Sequence, residues 1–166
     1  MMNSLSTILT IAATDPSGGA GVATDVKTAM LCGVHACMAV TAVTVQNSLR
    51  FSEIQPVSAY LLRAQLECIA EDVDIAAVKI GMIPTAELID VAAAFIHERG
   101  LKNIVIDPVL SATVQAAAGC GDASVPEYAA KVLYPLADVL TPNLPEVERL
   151  LTLYNKSLPE SPAEAA

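Results

Sequence analysis

The first residues that could bind a ligand lie in the segment ATDPSGGAG, residues 13–21, which follows a short β-branched run. Its three closely spaced glycines allow a tight turn and bring backbone N–H groups near a ligand at the start of the following helix. The glycine order matches neither the Walker A loop nor the dinucleotide-binding pattern G-x-G-x-x-G. The segment is therefore either one wall of a small-molecule site or an ordinary strand-to-helix turn.

Two hydrogen-bonding side chains follow this segment and the next apolar run. Asp25 lies one helical turn beyond Gly21, where its carboxylate can accept a hydrogen bond from a ligand or complement the helix dipole. Gln46 ends the run TAVTVQ, and its amide can donate and accept at once. Such an amide suits an aminopyrimidine edge, although an ordinary turn also uses Gln-Asn.

Two further apolar runs, VKIGM and VIDPV, end in residues that can meet a ligand. Met82 offers an adaptable surface for a flat ring, or it is a core methionine. Asp107 can hold Mg²⁺ directly or through water, or it begins an Asp-Pro turn. Asn143 and Glu146 have the spacing of a helix capping box, which is compatible with ligand binding. His35 and His97 have no acid or cysteine at a spacing that would form a catalytic relay, so a histidine-activated nucleophile is not expected.

Apolar periodicity predicts the elements that position these residues. The predicted strands are residues 7–13, 36–45, 77–80, 103–106 and 138–140. The predicted helices begin at Gly21, Ser58, Thr85, Ser124 and Asn143. This alternation predicts an α/β fold, in which a mostly parallel sheet carries helices on both faces and binds ligands at the carboxyl ends of its strands.

Several local details are also expected. Residues 47–57 are a polar connection, and Ser124 with Glu127 forms a capping box. The helix over residues 21–32 presents one apolar face, formed by Val22, Val26, Ala29 and Met30. Residues 1–154 form the domain, and the Pro/Ala-rich residues 155–166 are a linker or a frayed end.

Composition narrows the function classes. The formal charge of -9, from 18 acidic and nine basic residues, would repel a phosphate backbone and excludes nucleic acid as a partner. The four cysteines form no CxxC pair, which is typical of reduced, mostly buried thiols in a cytoplasmic protein, and Cys120 shows no sign of activation. No apolar run reaches the roughly 20 residues of a membrane span, and no signal peptide is recognisable, so a cytoplasmic chain without a membrane partner is expected.

Five ordered motifs, TIAATDPSGGAG, TAVTVQNS, VKIGM, VIDPV and LTPNLPEVERLL, resemble those of the hydroxymethylpyrimidine/phosphomethylpyrimidine kinases of thiamine biosynthesis. These enzymes belong to the ribokinase-like superfamily, and the resemblance extends from Leu5 to about Leu151. It implies phosphorylation of 4-amino-5-hydroxymethyl-2-methylpyrimidine and then of its monophosphate, with ATP and Mg²⁺ as cofactors.

The resemblance also implies roles for individual residues. Gln46 and Asp25 match residues that hold the pyrimidine. The same pocket would be lined by Ala13, Thr44, Met82 and Val109. Asn143 and Glu146 match an Asn-x-x-Glu element on the magnesium and phosphate side, where Asp107 is also expected.

Departures from the family pattern qualify these implications. Ala13 stands where a glycine is usual, and residues 116–121 replace a shorter Ser-Gly-Asp turn. The family's anion hole, catalytic base and most of its adenine site belong to a second half that lies beyond residue 166. No catalytic residue or direct metal ligand is therefore assigned.

The chain is expected to be a ribokinase-like domain without its C-terminal part. It would then need that half or a partner chain, with a homo-oligomer as a further option. Two other functions stay open: a non-catalytic pyrimidine-binding or regulatory module, and a pyridoxal-kinase-like enzyme.

Overall fold

In the computed structural model, residues 6–110 and 124–156 are described, and the apolar runs within them form seven strands and five α-helices. The strands are β1 Thr7–Ala12, β2 His35–Val40, β3 Ala42–Gln46, β4 Phe51–Pro56, β5 Ile75–Ile80, β6 Ile104–Ile106 and β7 Val139–Leu140. The helices are α1 Gly21–Leu31, α2 Ala59–Ala70, α3 Ala86–Arg99, α4 Val125–Val132 and α5 Leu144–Leu153.

Five of these strands form a parallel sheet in the order β2-β1-β5-β6-β7. Side chains alternate across a strand, so Leu9 and Ile11 of β1 face one side and Thr10 faces the other. The first side packs against α2 and α3 in the main core, which contains Leu66 and Phe95. The second side meets α1, since Thr10 hydrogen-bonds Asp25. The predicted α/β fold, with a mostly parallel sheet and helices on both faces, is confirmed.

The predicted single strand over residues 36–45 is wrong, because the chain leaves the sheet at Thr41. The Thr41 N–H donates to the Ala12 carbonyl at 3.0 Å, and its hydroxyl donates to the Met82 carbonyl at 2.7 Å. These bonds end β2 at the sheet edge and turn the chain into β3. The sequence offers no glycine or proline at this break, so the apolar run reads as continuous.

The predicted polar connection over residues 47–57 is also wrong, because β4 pairs with β3 as an antiparallel hairpin outside the main sheet. Its inner face carries Thr44, Phe51 and Ile54, all buried, whereas Val43 and Val45 on the other face are about half exposed. A register shift between Val45 and Gln46 interrupts the regular alternation that would have identified the strand.

Most predicted helix ends are confirmed. Ser58 and Thr85 accept N-cap hydrogen bonds, and Gly100, with φ of 60°, ends α3 in the left-handed conformation. Asn143 and Glu146 form the complete capping box at the start of α5. Ser124 does not cap α4, because its backbone is already helical at φ -79° and ψ -18°.

The predicted apolar face of α1 is only partly correct. Val22 and Ala29 are buried, but Met30 is 72% exposed. Met30 follows Ala29 directly, and one residue rotates a helix position by about 100°, which here carries the side chain off the buried stripe.

Some predictions fall outside the described residues. These are the replacement loop at 116–121, Cys120 and the tail from residue 157 onwards. In the described part of the chain, none of the helices has the length and apolarity needed to cross a bilayer.

Candidate ligand-binding site

A cleft of about 600 Å³, including space open to solvent, lies at the carboxyl ends of β1, β5 and β6, beneath the β3–β4 hairpin. Parallel strands end at the same edge of the sheet, which is why distant motifs meet there. The predicted residues that line it are Ala13, Gln46, Met82, Asp107 and Val109. Gly21 and Lys79 also line it, together with Phe51 from the hairpin.

The Gly-rich segment is folded by Asp15, a residue that is not among the predicted site residues. Its carboxylate accepts hydrogen bonds from the Ser17 N–H at 2.8 Å, the Ser17 hydroxyl, and the Gly19 N–H at 3.1 Å. Burial raises the pKa of Asp15, but hydrogen bonds from Ser17, Gln46 and Gly19 outweigh it and hold the pKa below its ordinary value. Asp15 thus stays ionised and fixes the loop.

Gly21 allows the start of α1 to approach the end of β1. Its φ is +61°, and a Cβ at this position would lie 2.2 Å from the Ala13 carbonyl oxygen. The same oxygen accepts the Val22 N–H at 3.1 Å. Glycine is therefore required here by a close backbone contact, and both Ala13 and Gly21 form the cleft wall.

Asp25 is held from two neighbouring strands. The Thr10 hydroxyl donates to its Oδ2 at 2.5 Å, and the Lys79 Nζ lies 3.1 Å from each carboxylate oxygen. Among the described residues that line the cleft, Lys79 is present and Asp25 is not. The structure thus brings the predicted Asp25 next to the cleft, with the Lys79 ammonium in the lining.

The hairpin is fastened to the Gly-rich segment by a pair of threonines. The Thr44 hydroxyl donates to the Thr14 carbonyl at 2.8 Å, and the Thr14 N–H donates to the Ala42 carbonyl at 2.9 Å. Thr44 is 2% exposed and is not among the described lining residues. It therefore supports the cleft by holding in place the strand that carries Gln46.

Apolar side chains complete this part of the cleft. Phe51 and Ile54 of the hairpin form a small buried cluster with Ala13 and Ala42, and Met82 packs against it. Phe51 and Met82 also line the cleft, so one region of its wall is apolar while Gln46 supplies an amide. A flat heterocycle with polar edges fits this combination.

The phosphate side predicted from the sequence is organised around buried Glu146. Its Oε1 accepts the Leu110 N–H at 3.0 Å, and its Oε2 accepts the Asn143 N–H at 3.0 Å. Asn143 in turn accepts the Glu146 N–H at 3.0 Å. The pair caps α5 and fixes the turn after β6, so its structural role is clear. Val109 in that turn has a strained φ of 40°.

Asp107 lies between the two sides of the site. Burial raises its pKa above the ordinary value, and the Lys79 ammonium opposes this effect. The negative charges of Glu146 and Asp25 raise it further, whereas the Val109 N–H lowers it. The carboxyl ends of β5 and β6 therefore concentrate acidic groups around one ammonium.

A family model described as phosphomethylpyrimidine kinase matches residues 15–166. The chain belongs to the phosphomethylpyrimidine kinase family. It is 40% identical over 149 residues to the hydroxymethylpyrimidine/phosphomethylpyrimidine kinase of Haemophilus influenzae, a match that covers 90% of this chain and 55% of the relative.

Solved structures agree with this membership. The crystal structure of phosphomethylpyrimidine kinase from Clostridium difficile superposes with a TM-score of 0.79 and 32% identity, covering 89% of this chain and 63% of that one. The pyridoxal kinase of Staphylococcus aureus in complex with AMP-PCP and pyridoxal superposes with a TM-score of 0.77 and 30% identity, covering 93% of this chain and 54% of that one. The chain thus spans little more than half the length of these relatives.

Within this phosphomethylpyrimidine kinase fold, a second cavity of about 660 Å³ adjoins the cleft and shares Gly81, Met82, Asp107 and Val109 with it. Its remaining described lining is mostly apolar, including Leu110 from the end of β6. The first cleft differs from it in being lined by Gln46 and Lys79, which carry hydrogen-bonding side chains.

Lys79 and Phe51 line the cleft but receive no binding role from the sequence, and the reasons differ. Lys79 is a charged residue within the apolar run IAAVKI, which is a usable signal for a polar function. Phe51 lies in β4, where the sequence predicts a polar connection, so no local signal identifies it as a lining residue. The binding roles of the residues named from the sequence stay predictions.

Proposed function

We propose that this chain forms the pyrimidine-binding part of an ATP-dependent phosphotransferase that converts 4-amino-5-hydroxymethyl-2-methylpyrimidine to its monophosphate and then to its diphosphate in thiamine biosynthesis. The observation that carries the proposal is the position of Gln46. Its amide lies in the same cleft as the apolar Met82 and Phe51 surfaces. An aminopyrimidine needs both features, a donor and acceptor pair at its edge and a flat apolar contact for its ring.

The cleft is held in shape before any ligand binds. Thr44 and Thr41 tie the hairpin to the ends of β1 and β5, and Asp15 fixes the Gly-rich segment. Ligand binding then requires little ordering of the chain, which preserves affinity. This preorganisation supports recognition of a small rigid heterocycle.

Membership in a kinase family implies the use of ATP, and Mg²⁺ is proposed to accompany it at Asp107. The carboxylate is an oxygen donor, and the neighbouring Glu146 and Asp25 charges that raise its pKa favour a nearby cation. In the described residues, no three His, Cys, Asp or Glu side chains converge on one metal position. Asp107 would therefore hold Mg²⁺ together with waters and phosphate oxygens, where the ion neutralises charge on the transferred group.

Glu146 and Asn143 act on this side by positioning. The Glu146 carboxylate binds the Leu110 N–H, and Arg149 donates to the Leu110 carbonyl at 2.7 Å. These contacts fix the turn that follows Asp107. Phosphoryl transfer depends largely on positioning and charge stabilisation, so a fixed turn next to the carboxylate is what the reaction requires.

Complete catalysis is proposed to need a further segment that packs beside β7, from the same polypeptide or from another chain. β7 pairs with β6 on one side in the sheet order, and its Val139 and Leu140 side chains are 49% and 39% exposed. Leu144 at the start of α5 is 63% exposed. An exposed apolar strand at a sheet edge is a surface that a neighbouring element normally covers. A homo-oligomer is the alternative source of that cover.

We place the reaction in the cytoplasm, because the described cysteines Cys32, Cys37 and Cys68 are free thiols. The expectation that they are mostly buried is wrong for Cys32 and Cys68, which are exposed.

Isothermal titration calorimetry with 4-amino-5-hydroxymethyl-2-methylpyrimidine tests the proposal directly. Gln46→Ala is expected to weaken binding roughly tenfold or more, because the ligand amine and ring nitrogen lose their partner. Gln55→Ala is the matched control, since Gln55 lies on the same hairpin and is exposed. Absence of binding to the unsubstituted chain, or equal effects of the two substitutions, would show that the pyrimidine site is wrong.

A pyridoxal-kinase-like function is the second candidate, supported by the structural match to the Staphylococcus aureus enzyme that binds pyridoxal. Competition calorimetry separates the two, because the hydroxymethylpyrimidine should displace pyridoxal and not the reverse at equal concentrations. A non-catalytic module is the third candidate, because the same cleft would serve binding alone. Pyrimidine binding without ATP turnover, even when the segment proposed to pack beside β7 is supplied, would favour that module.

A further inference from the structure

Lys79 is a charged residue in the interior of the sheet. It lies on β5, between β1 and β6, in the otherwise apolar sequence IAAVKI. Its side chain is 26% exposed and points to the face opposite Val78 and Ile80, because side chains alternate along a strand. A half-buried ammonium is costly unless it is paired and hydrogen-bonded, so its partners indicate its role.

The partner of Lys79 is Asp25, and the pair is rigid. The Nζ lies 3.1 Å from both carboxylate oxygens, and the Thr10 hydroxyl holds Oδ2 at 2.5 Å. Thr10 and Lys79 are register partners on adjacent strands, so their side chains stand side by side on one face. Three elements, β1, β5 and α1, therefore fix the position of a single ammonium.

Of the two paired residues, Lys79 and not Asp25 lines the described part of the cleft. A Cβ at Gly81 would lie 3.0 Å from the Lys79 Nζ, so the glycine leaves room for the ammonium at the strand end. An ammonium has three N–H donors. Two can point at the two Asp25 oxygens while the third points at a ligand.

The strand order places Lys79 between the two sides of the cleft. Ala13 and Gln46, at the ends of β1 and β3, form the pyrimidine wall, and Asp107 ends on the β6 side. β5 lies between β1 and β6. In a hydroxymethylpyrimidine that accepts a phosphoryl group, the hydroxymethyl oxygen is the atom between the ring and the incoming phosphate. Lys79 is therefore in the right place to reach it.

We propose, resting on the pyrimidine site argued above, that Lys79 donates a hydrogen bond to the hydroxymethyl oxygen of the bound pyrimidine, and that Asp25 acts through Lys79 as its counter-ion. Lys79 thereby selects pyrimidines that carry the reacting hydroxyl. The competing explanation is an ion pair that only fastens α1 to the sheet. The two differ in whether Lys79 distinguishes ligands with and without that hydroxyl.

Calorimetry with two ligands tests this difference. The first is 4-amino-5-hydroxymethyl-2-methylpyrimidine, and the second is 4-amino-2,5-dimethylpyrimidine, which has hydrogen in place of the hydroxyl. The unsubstituted chain should bind the first about ten- to a hundredfold more tightly. Lys79→Met should bind both about equally, whereas the exposed control Lys102→Met should keep the full preference. If the ion pair is purely structural, Lys79→Met should weaken the binding of both ligands by the same factor. An unchanged ratio of the two dissociation constants in Lys79→Met therefore overturns the proposal.

Lys79→Met leaves the Asp25 charge uncompensated and can unfold the chain, so a second variant is needed. The double variant Asp25→Asn with Lys79→Met removes both charges and should fold, which circular dichroism verifies. It too should lose the hydroxyl preference; if it keeps that preference, Lys79 is not the donor. Equal binding of both ligands by the unsubstituted chain overturns this inference alone, whereas binding of neither overturns the pyrimidine site itself.

Discussion

Replacing Gly21 by alanine should destabilise the chain far more than the same change at Gly33, although both glycines have a positive φ. Their φ values are +61° and +71°, so each alanine carries a left-handed backbone penalty of about 1–2 kcal/mol. At Gly33 a Cβ would meet nothing within 4 Å. Gly33→Ala should therefore lower the free energy of unfolding by that penalty alone.

Gly21→Ala adds a steric term. Its Cβ would lie 2.2 Å from the Ala13 carbonyl oxygen, a backbone atom that cannot rotate away. Either the end of β1 or the start of α1 must move, which also lengthens the 3.1 Å hydrogen bond from the Val22 N–H. Such overpacking costs about 1–3 kcal/mol, so the total loss should be roughly 2–5 kcal/mol.

Urea unfolding followed by circular dichroism measures both losses, and calorimetry with the hydroxymethylpyrimidine measures the effect on the cleft. Gly21 and Ala13 both line the cleft, so Gly21→Ala should also weaken binding while Gly33→Ala leaves it unchanged. Equal destabilisation by the two substitutions would refute the reasoning, because it would mean that the close contact with Ala13 contributes nothing.

Three other expectations follow from buried polar groups. Thr44→Val should lower the free energy of unfolding by about 1–2 kcal/mol, measured in urea, because the partly buried Thr14 carbonyl loses its donor at 2.8 Å. Glu146→Gln should cost about 1–3 kcal/mol in the same assay, since one of its two N–H contacts would face an amide NH₂; no loss would contradict its role as a double acceptor. The pKa of Asp15 is lowered by its hydrogen bonds once burial is outweighed, so its stabilising effect is complete above the ordinary carboxyl pKa of about 4 and is lost as pH falls through the lower folded value. Asp15→Asn should have a lower free energy of unfolding than the unsubstituted chain at pH 6, and this difference should shrink towards pH 2. A difference that stays constant with pH would exclude the ionised carboxylate as the cause.

The parts of the fold that the sequence predicts correctly are those set by local rules. Ser58, Thr85 and Asn143 cap helices because their side chains accept nearby backbone N–H groups, and residue type alone signals this. Ser124 has the same residue type but a helical backbone, so the rule fails there. Helix α4 shows that a capping residue type is not a sufficient signal, and α1, which begins after Ala20 without a side-chain cap, shows that it is not a necessary one.

The hairpin was missed because tertiary contacts decide it. Thr41 ends β2 through bonds to Ala12 and Met82, and the second of these partners is 41 residues away. A prediction from local sequence does not include a partner so far along the chain, so it gives one buried strand over residues 36–45. Phe51 therefore lies in a segment predicted to be a connection, and the sequence does not predict its aromatic ring in the cleft wall.

Whether a residue lines the cleft can be predicted where that residue ends a strand, and less completely where an ion pair redirects its side chain. Ala13, Gln46 and Asp107 line the cleft because parallel strands deliver their carboxyl ends to one edge, and this follows from topology alone. The direction of the Asp25 carboxylate depends on Lys79, which is 54 residues distant. An acidic residue near a predicted site is thus better read together with any lysine or arginine in a neighbouring apolar strand. Where the two pair, the cation becomes the group to test against the ligand, and the acid becomes the group that sets its position.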